Sequence, residues 1–253
     1  MIIDKPSSTH IPTLRQLWKT AFGDSDGFLD DFWQTAYAPD RCRCVFLQNT
    51  PVSALYWFPT CFQGRPGAYL YAVATDPAHR CKGYASALLR DTHAHMKAIG
   101  LKDVFLLPQE DSLRTYYEKA GYRTCCRVHE FTCPAAKTPV ALRQIDAATY
   151  AALRRQYLPE HGVLQEGVTL SFLDSQGVFF AGEDFVLFAY PEQPEIQVKE
   201  LLGNADAAPG IVRAFGAQSG HFRIPGDSLA FAMRCVLDNA DETQPAYLGL
   251  ALD

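Results

Sequence analysis

No stretch of the 253-residue chain approaches about 18 consecutive apolar residues, so the sequence predicts no membrane-spanning helix. The first residues, MIIDKPSSTHIP, meet Asp4 and a proline at once and hold no apolar run fit for a signal peptide. Basic residues are not in excess. The net charge is −5, which argues against non-specific nucleic-acid binding. No C-x-x-C occurs among the eight cysteines (42, 44, 61, 81, 125, 126, 133 and 235). Their spacing suits no disulfide framework, and reduced thiols in a cytoplasmic protein are the expectation. The seven histidines do not cluster, so no metal site is expected. Neither G-x-G-x-x-G nor G-K-S/T is present, which removes the dinucleotide and P-loop readings.

What is there is an ordinary globular mix, 48% hydrophobic and 20% charged, long enough for one large domain or two small ones. Charge divides unevenly. Residues 1–137 hold 16 basic and 13 acidic side chains (+3), whereas residues 138–253 hold 7 and 15 (−8). The change coincides with Thr132-Cys-Pro-Ala-Ala-Lys-Thr-Pro139, and the boundary between domains 1–137 and 138–253 is placed there.

In the first half, Leu14, Leu17, Trp18 and Ala21 recur at helical spacing before Gly23, and Phe28, Leu29, Phe32 and Trp33 share a second helical face. Strand-like runs follow at Cys42–Gln48, Val52–Phe62 and Ala68–Thr75. A helix over Gly83–Ile99, a strand at Val104–Leu107, a helix over Ser112–Ala120 and a strand at Tyr122–Phe131 complete a mixed α/β order. The second half repeats this grammar faintly. Its elements are Val140–Leu142, helices at Asp146–Tyr157 and Gly167–Leu173, strands at Gly177–Gly182, Phe185–Tyr190 and Gln197–Gly203, a helix at Ala207–Ala217, and strands at His221–Ile224 and Tyr247–Leu252.

Chemistry concentrates in Tyr69-Leu-Tyr-Ala-Val-Ala-Thr-Asp-Pro-Ala-His-Arg-Cys-Lys-Gly-Tyr-Ala-Ser86, which reads strand, tight turn, helix. Gly83 permits close approach to the backbone, and the amides of roughly residues 81–86 lie at a helix N-terminus, where an anion is favoured. Arg80 and Lys82 add positive charge, an arrangement that suits a pyrophosphate. The turn Arg80-x-x-Gly83-x-Ala85 resembles the acyl-CoA-binding motif of the GNAT (GCN5-related) N-acetyltransferases. Tyr117-Glu-Lys-Ala-Gly-Tyr122 is similar to that family's last motif.

The resemblance covers about residues 10–131. It implies a mixed, mostly antiparallel sheet flanked by helices, with a second, smaller and degenerate GNAT-like α/β domain. It further implies direct transfer of an acetyl group from acetyl-CoA to a primary amine of a small molecule. Val73, Ala74, Thr75, Arg80, Cys81, Lys82, Gly83, Tyr84, Ala85 and Ser86 would bind the cofactor. Strand Tyr71–Thr75 would run beside the pantetheine arm, a backbone N–H near Val73 would meet the oxyanion, and Tyr117 would protonate the leaving thiolate.

Many family members carry a glutamate on this strand as base. Ala68–Thr75 has no carboxylate, so a water relay, or a carboxylate of the second half down to Asp253, is the remaining source. That gap leaves a CoA-binding sensor as the alternative to an enzyme. The acidic excess of the second half suggests a cationic acceptor, with Glu160, Glu166, Glu183, Asp184 and Glu200 as wall candidates. Cys81, between Arg80 and Lys82 at a helix start, is expected to be the most reactive thiol.

Overall fold

A computed structural model describes residues 1–191, 194–238 and 243–252. The chain opens with β1 (Ile2–Asp4), α1 (Ile11–Phe22) and α2 (Asp26–Thr35). Pro12 sits in the first turn of α1, Leu14, Leu17 and Trp18 form its buried stripe, and Gly23 ends it at φ +79°. Ser25 caps α2 by accepting from the Phe28 amide at 3.2 Å. Next come β2 (Cys42–Leu47), β3 (Thr50–Phe62), β4 (Arg65–Thr75), α3 (Tyr84–Ala98), β5 (Asp103–Leu106), α4 (Arg114–Lys119) and β6 (Arg123–Thr124).

The second unit starts at Thr124. It holds β7 (Arg127–Pro134), β8 (Arg143–Ile145), α5 (Ala147–Tyr157), α6 (Val168–Gln176), β9 (Val178–Ala181), β10 (Phe185–Tyr190) and β11 (Glu195–Gly203). It continues with α7 (Ala208–Ala214), β12 (Ser219–Pro225) and β13 (Leu229–Ala230). The chain then returns to the first unit as β14 (Met233–Val236).

The two sheets share one topology. In the first, β1-β2-β3-β4 are antiparallel neighbours, β4 and β5 pair in parallel, and β5 pairs antiparallel with β14. In the second, β8-β9-β10-β11 are antiparallel, β11 and β12 are parallel, and β12 pairs antiparallel with β7. Two helices separate the first pair of strands in each unit, and one helix links each parallel pair. The first sheet is therefore completed by β14, which follows the second unit in sequence, and the second sheet by β7, the strand that opens its own unit.

This arrangement revises the expected boundary. The units part at Arg123 and Thr124, and Thr132–Pro134, read as linker, is the end of β7, with Cys133 opposite Gly220. The single strand expected over Tyr122–Phe131 is interrupted at Cys125–Cys126, between β6 and β7. Strands β1 and β14 were not expected at all. The first strand of the second half is Arg143–Ile145 rather than Val140–Leu142. The closing strand at Tyr247–Leu252 reduces to one bridge, Gly162 to Tyr247, in a buried coil. That coil is held by side chains instead: the Gln165 amide both donates to the Leu250 carbonyl and accepts from its N–H.

The faces of the first sheet differ. Leu55, Trp57 and Leu70 pack with Leu88, Leu89 and Met96 of α3. Tyr56, Phe58 and Tyr71, on the alternate face, meet Trp18 of α1 or Phe32 of α2.

Candidate active site

The site is built around a fork. Parallel pairing between β4 and β5 is limited to Gly67–Asp103, Ala68–Val104 and Tyr69–Phe105. Gly67 is required there, because a Cβ would lie 2.7 Å from the Asp103 carbonyl oxygen. Strand β5 ends at Leu106, while β4 runs on to Thr75. Along that extension the ladder to β3 shifts register: Tyr71 faces Tyr56 and Ala74 faces Ala54, so Ala72 and Val73 together oppose Leu55. Ala72 takes φ +49°. Such a bulge re-aims backbone groups beside a site.

Beyond Thr75 the chain turns sharply. Asp76 accepts from the Ala78 amide at 2.8 Å, and the Arg80 Nε donates back to the Thr75 carbonyl at 3.1 Å. Cys81 and Gly83 both adopt left-handed backbone, φ +61° and +79°. Gly83 precedes α3, whose first turn carries no capping side chain and no acidic residue. A Cβ on Gly83 would meet no atom within 4 Å. A 15-residue helix thus presents its first amides, with the positive end of its dipole, without a side-chain acceptor. These residues fit the diphosphate of an acyl-CoA.

The structure brings Arg80, Cys81, Lys82, Gly83, Tyr84, Ala85 and Ser86 together around this turn. Arg80, Cys81, Lys82 and Ser86 are exposed, and Tyr84 and Ala85 half-buried. The Lys82 ammonium lies on the Ala78 carbonyl at 2.9 Å, and the Arg80 guanidinium is folded against the strand end, so both charges are tethered locally. Val73 is half-buried on the bulge. Ala74 has its side chain buried, and its carbonyl accepts from the Ser53 hydroxyl at 2.8 Å. The Thr75 hydroxyl also meets Ser53 at 2.8 Å.

Tyr117 is 8% exposed and packs into the α3-side core, its ring 5.2 Å from Tyr116 and 5.7 Å from Tyr122. Burial first, and the neighbouring Tyr116 second, push its phenol up to about 12. Sequence reasoning passed over two features here. The Tyr116 hydroxyl lies 3.3 Å from Ser86 Oγ, tying α4 to the first turn of α3. The Tyr122 hydroxyl meets His93 Nε2 at 2.8 Å, and burial lowers that imidazole to about 4. Strands β3 and β4 contain no Asp or Glu, so neither supplies a carboxylate base. Asp253 lies outside the described residues.

The corresponding helix start of the second unit is filled. The Ala136 amide donates to the Pro209 carbonyl at 2.8 Å, and Val140 lies against Gly210 so closely that a Cβ there would meet it at 2.6 Å. Helix α7 has seven residues, and Asp206 stands just before it. Glu200 must be removed from the expected acceptor wall. It is fully buried, and its carboxylate accepts from Arg154 at 2.7 and 3.0 Å and from Tyr150 at 2.6 Å. Of the other wall candidates, Glu166 is bound by Arg155 at 2.5 Å and Asp184 accepts from Asn204 at 2.9 Å.

Residues 3–125 match the family model of the acetyltransferase (GNAT) domain. The first unit is a GNAT domain. The whole chain is similar in fold to a GCN5-related N-acetyltransferase from Kribbella flavida, at 19% identity and TM-score 0.75, over 94% of this chain and 71% of that one. A GCN5-related N-acetyltransferase from Anabaena variabilis is similar at 14% identity and TM-score 0.71, over 94% and 73%. Eis1 from Mycobacterium abscessus is similar at 14% identity and TM-score 0.66, over 94% and 74%. No curated protein matches the sequence. Among the described residues, no helix of the protein is long and apolar enough to cross a membrane, and no group of three or more His, Cys, Asp or Glu could hold a metal ion.

Proposed function

We propose that the protein is an N-acetyltransferase that moves an acetyl group from acetyl-CoA to a primary amine of a small molecule. The observation that carries this is the forked β4–β5 pair opening beside the uncapped, glycine-led start of α3. Amides 81–86 take the diphosphate. The β4 edge from Tyr71 to Thr75 takes the pantetheine arm as an added strand. The bulge at Ala72–Val73 aims a backbone N–H at the thioester oxygen, where it stabilises the charge that develops during attack. The amine nitrogen forms the new C–N bond and the C–S bond breaks. The proton of the amine leaves to water, since β3 and β4 offer no carboxylate, and the Tyr117 hydroxyl meets the departing thiolate.

The energetics limit what Tyr117 does. Its phenol at about 12 stands about 3.5 units above a thiol of ordinary pKa about 8.5, so full transfer in the ground state is uphill by about 5 kcal/mol. Tyr117 therefore acts as a hydrogen-bond donor to the developing thiolate and keeps its own proton, and the thiolate takes one from water as product leaves.

The second unit takes no CoA, because residues 136–140 occupy the start of α7. With Glu200 paired to Arg154, the acidic half offers less to a polycation than its charge suggests.

Gly83→Glu tests the cofactor site. A side chain at this position enters open space within the cradle, carries an anion where the diphosphate must lie, and strains the left-handed backbone by about 1–2 kcal/mol. The variant should lose CoA binding by titration calorimetry while keeping a cooperative melt. Unchanged affinity would remove the cofactor assignment.

A further inference from the structure

On the reading above the cofactor takes the α3 side of the fork, which leaves the opposite face of β4 to the amine. On β4 the residue that stands on that face just before the bulge is Tyr71. Its half-buried ring is braced by Trp18 at 5.5 Å (68°) and Phe58 at 5.6 Å (64°), both edge-on, and by Phe32 at 6.2 Å. The aromatic surface continues through Trp33, 5.7 Å from Trp18, to Tyr37, stacked on Trp33 at 5.5 Å and 24°. The Trp33 indole nitrogen and the Tyr37 hydroxyl are buried and have no hydrogen-bond partner.

The same face is poor in available negative charge. Neither β3 nor β4 carries an acid. Asp24 accepts from the Trp18 indole at 2.7 Å, Asp26 is held by Lys19 at 2.9 Å and Asp30 by Arg15 at 2.7 Å. A polycation gains little here. A flat apolar body gains an immobilised ring to stack on, with little side-chain entropy left to lose.

We infer that Tyr71 is a specificity-determining residue and that the acceptor is a primary amine with an aromatic body, of the 2-arylethylamine kind. This rests on the acetyltransferase reading above.

The experiment measures thiol release from acetyl-CoA with 2-phenylethylamine, hexylamine and spermidine, alongside CoA affinity by calorimetry. An aromatic pair is worth about 0.5–1.5 kcal/mol, so kcat/KM for phenylethylamine should exceed that for hexylamine by about 2- to 10-fold. Tyr71→Ala should bring the phenylethylamine-to-hexylamine ratio of kcat/KM to about one, a ratio read within one variant so that any change in CoA affinity cancels. Tyr71→Phe should retain the margin. Tyr71→Leu, which preserves apolar bulk, replaces the alanine variant should the latter not melt cooperatively. Hexylamine or spermidine matching phenylethylamine, or Tyr71→Ala lowering all three amines alike, would overturn the inference. Absence of CoA binding, or of turnover with every amine, would instead overturn the acetyltransferase reading and this inference with it.

Discussion

The returning strand β14 is clamped to the GNAT domain by one buried carboxylate, and its removal has a calculable cost. Asp103 is fully buried at the start of β5. Its Oδ1 accepts from Arg234 Nε at 2.9 Å and Nη2 at 2.6 Å, and its Oδ2 accepts from Arg65 Nε at 3.0 Å. Arg65 has a second anion in Asp238 at 2.7 Å, and Arg234 is 4% exposed on β14. Asp103→Asn keeps the shape and deletes the charge that the buried Arg234 guanidinium pairs with. Breaking such a pair from one side costs about 3–5 kcal/mol, a large share of a total stability of about 5–15 kcal/mol. At about 2–4 °C per kcal/mol for a chain of this size, the melting temperature should fall by roughly 6–20 °C. Urea unfolding followed by circular dichroism gives the free energy directly. The double variant Asp103→Leu with Arg234→Met removes both charges, and Arg65 keeps Asp238, so it should recover most of the loss. A loss below about 1 kcal/mol for Asp103→Asn, or a double variant no better than the worse single one, would refute the clamp.

Tyr117→Phe should lower kcat by about 10- to 100-fold with little change in KM for acetyl-CoA, the range of a hydrogen bond to a charged group; full activity in steady-state assays would assign the role elsewhere. Cys81 is the exposed thiol of the eight, and mass-spectrometric labelling with iodoacetamide should modify it first and be slowed by CoA; another cysteine reacting first contradicts this. His93 is held near 4 by burial against about 6.5 in the unfolded chain, so between those values the unfolded state binds more protons. The stability it protects is complete above pH 6.5 and is lost as pH falls toward 4, by at most about 3 kcal/mol; urea titrations of His93→Gln should show a flatter slope across that window.

The sequence is most readable where structure is local. Helices α1 to α3 follow from Pro12, Gly23, Gly83 and their apolar stripes, and the strand–turn–helix carrying Arg80 to Ser86 lies within eighteen consecutive residues. Pairings between distant segments leave no such trace. Strand β14 has four residues, one of them Arg234, and its partner β5 lies in the other half of the chain. The apolar run Tyr247–Leu252 has the composition of a strand, yet its backbone is satisfied by Gln165 and by Arg223, which donates to the Gly249 carbonyl at 3.4 Å. Glu200 reads as a surface acid because its partner Arg154 is a helical residue 46 positions away. The bulge at Ala72 was hidden for a different reason: nothing in an alanine announces positive φ.

The return of the chain to the first unit as β14 gives a physical reason for keeping the second unit. Two sheets of one topology diverge at the helix that follows the fork: α3 has fifteen residues and a glycine-led open start, α7 has seven and a start covered by residues 136–140. Were the first unit continuous in sequence, the second could be lost without structural consequence for it. Instead β14 satisfies the outer edge of β5 from Leu106 to Asp103, and β7 does the same for β12 from Pro225 to Ser219. Cutting the chain at residue 137 would strip β14 from the GNAT domain and leave β12 without its neighbour. Both parallel pairs would then end in an exposed edge, the condition under which isolated sheets aggregate or trade strands. On this account the chain is retained through the second unit because β14, the strand that closes the first sheet beside the fork, follows that unit in sequence.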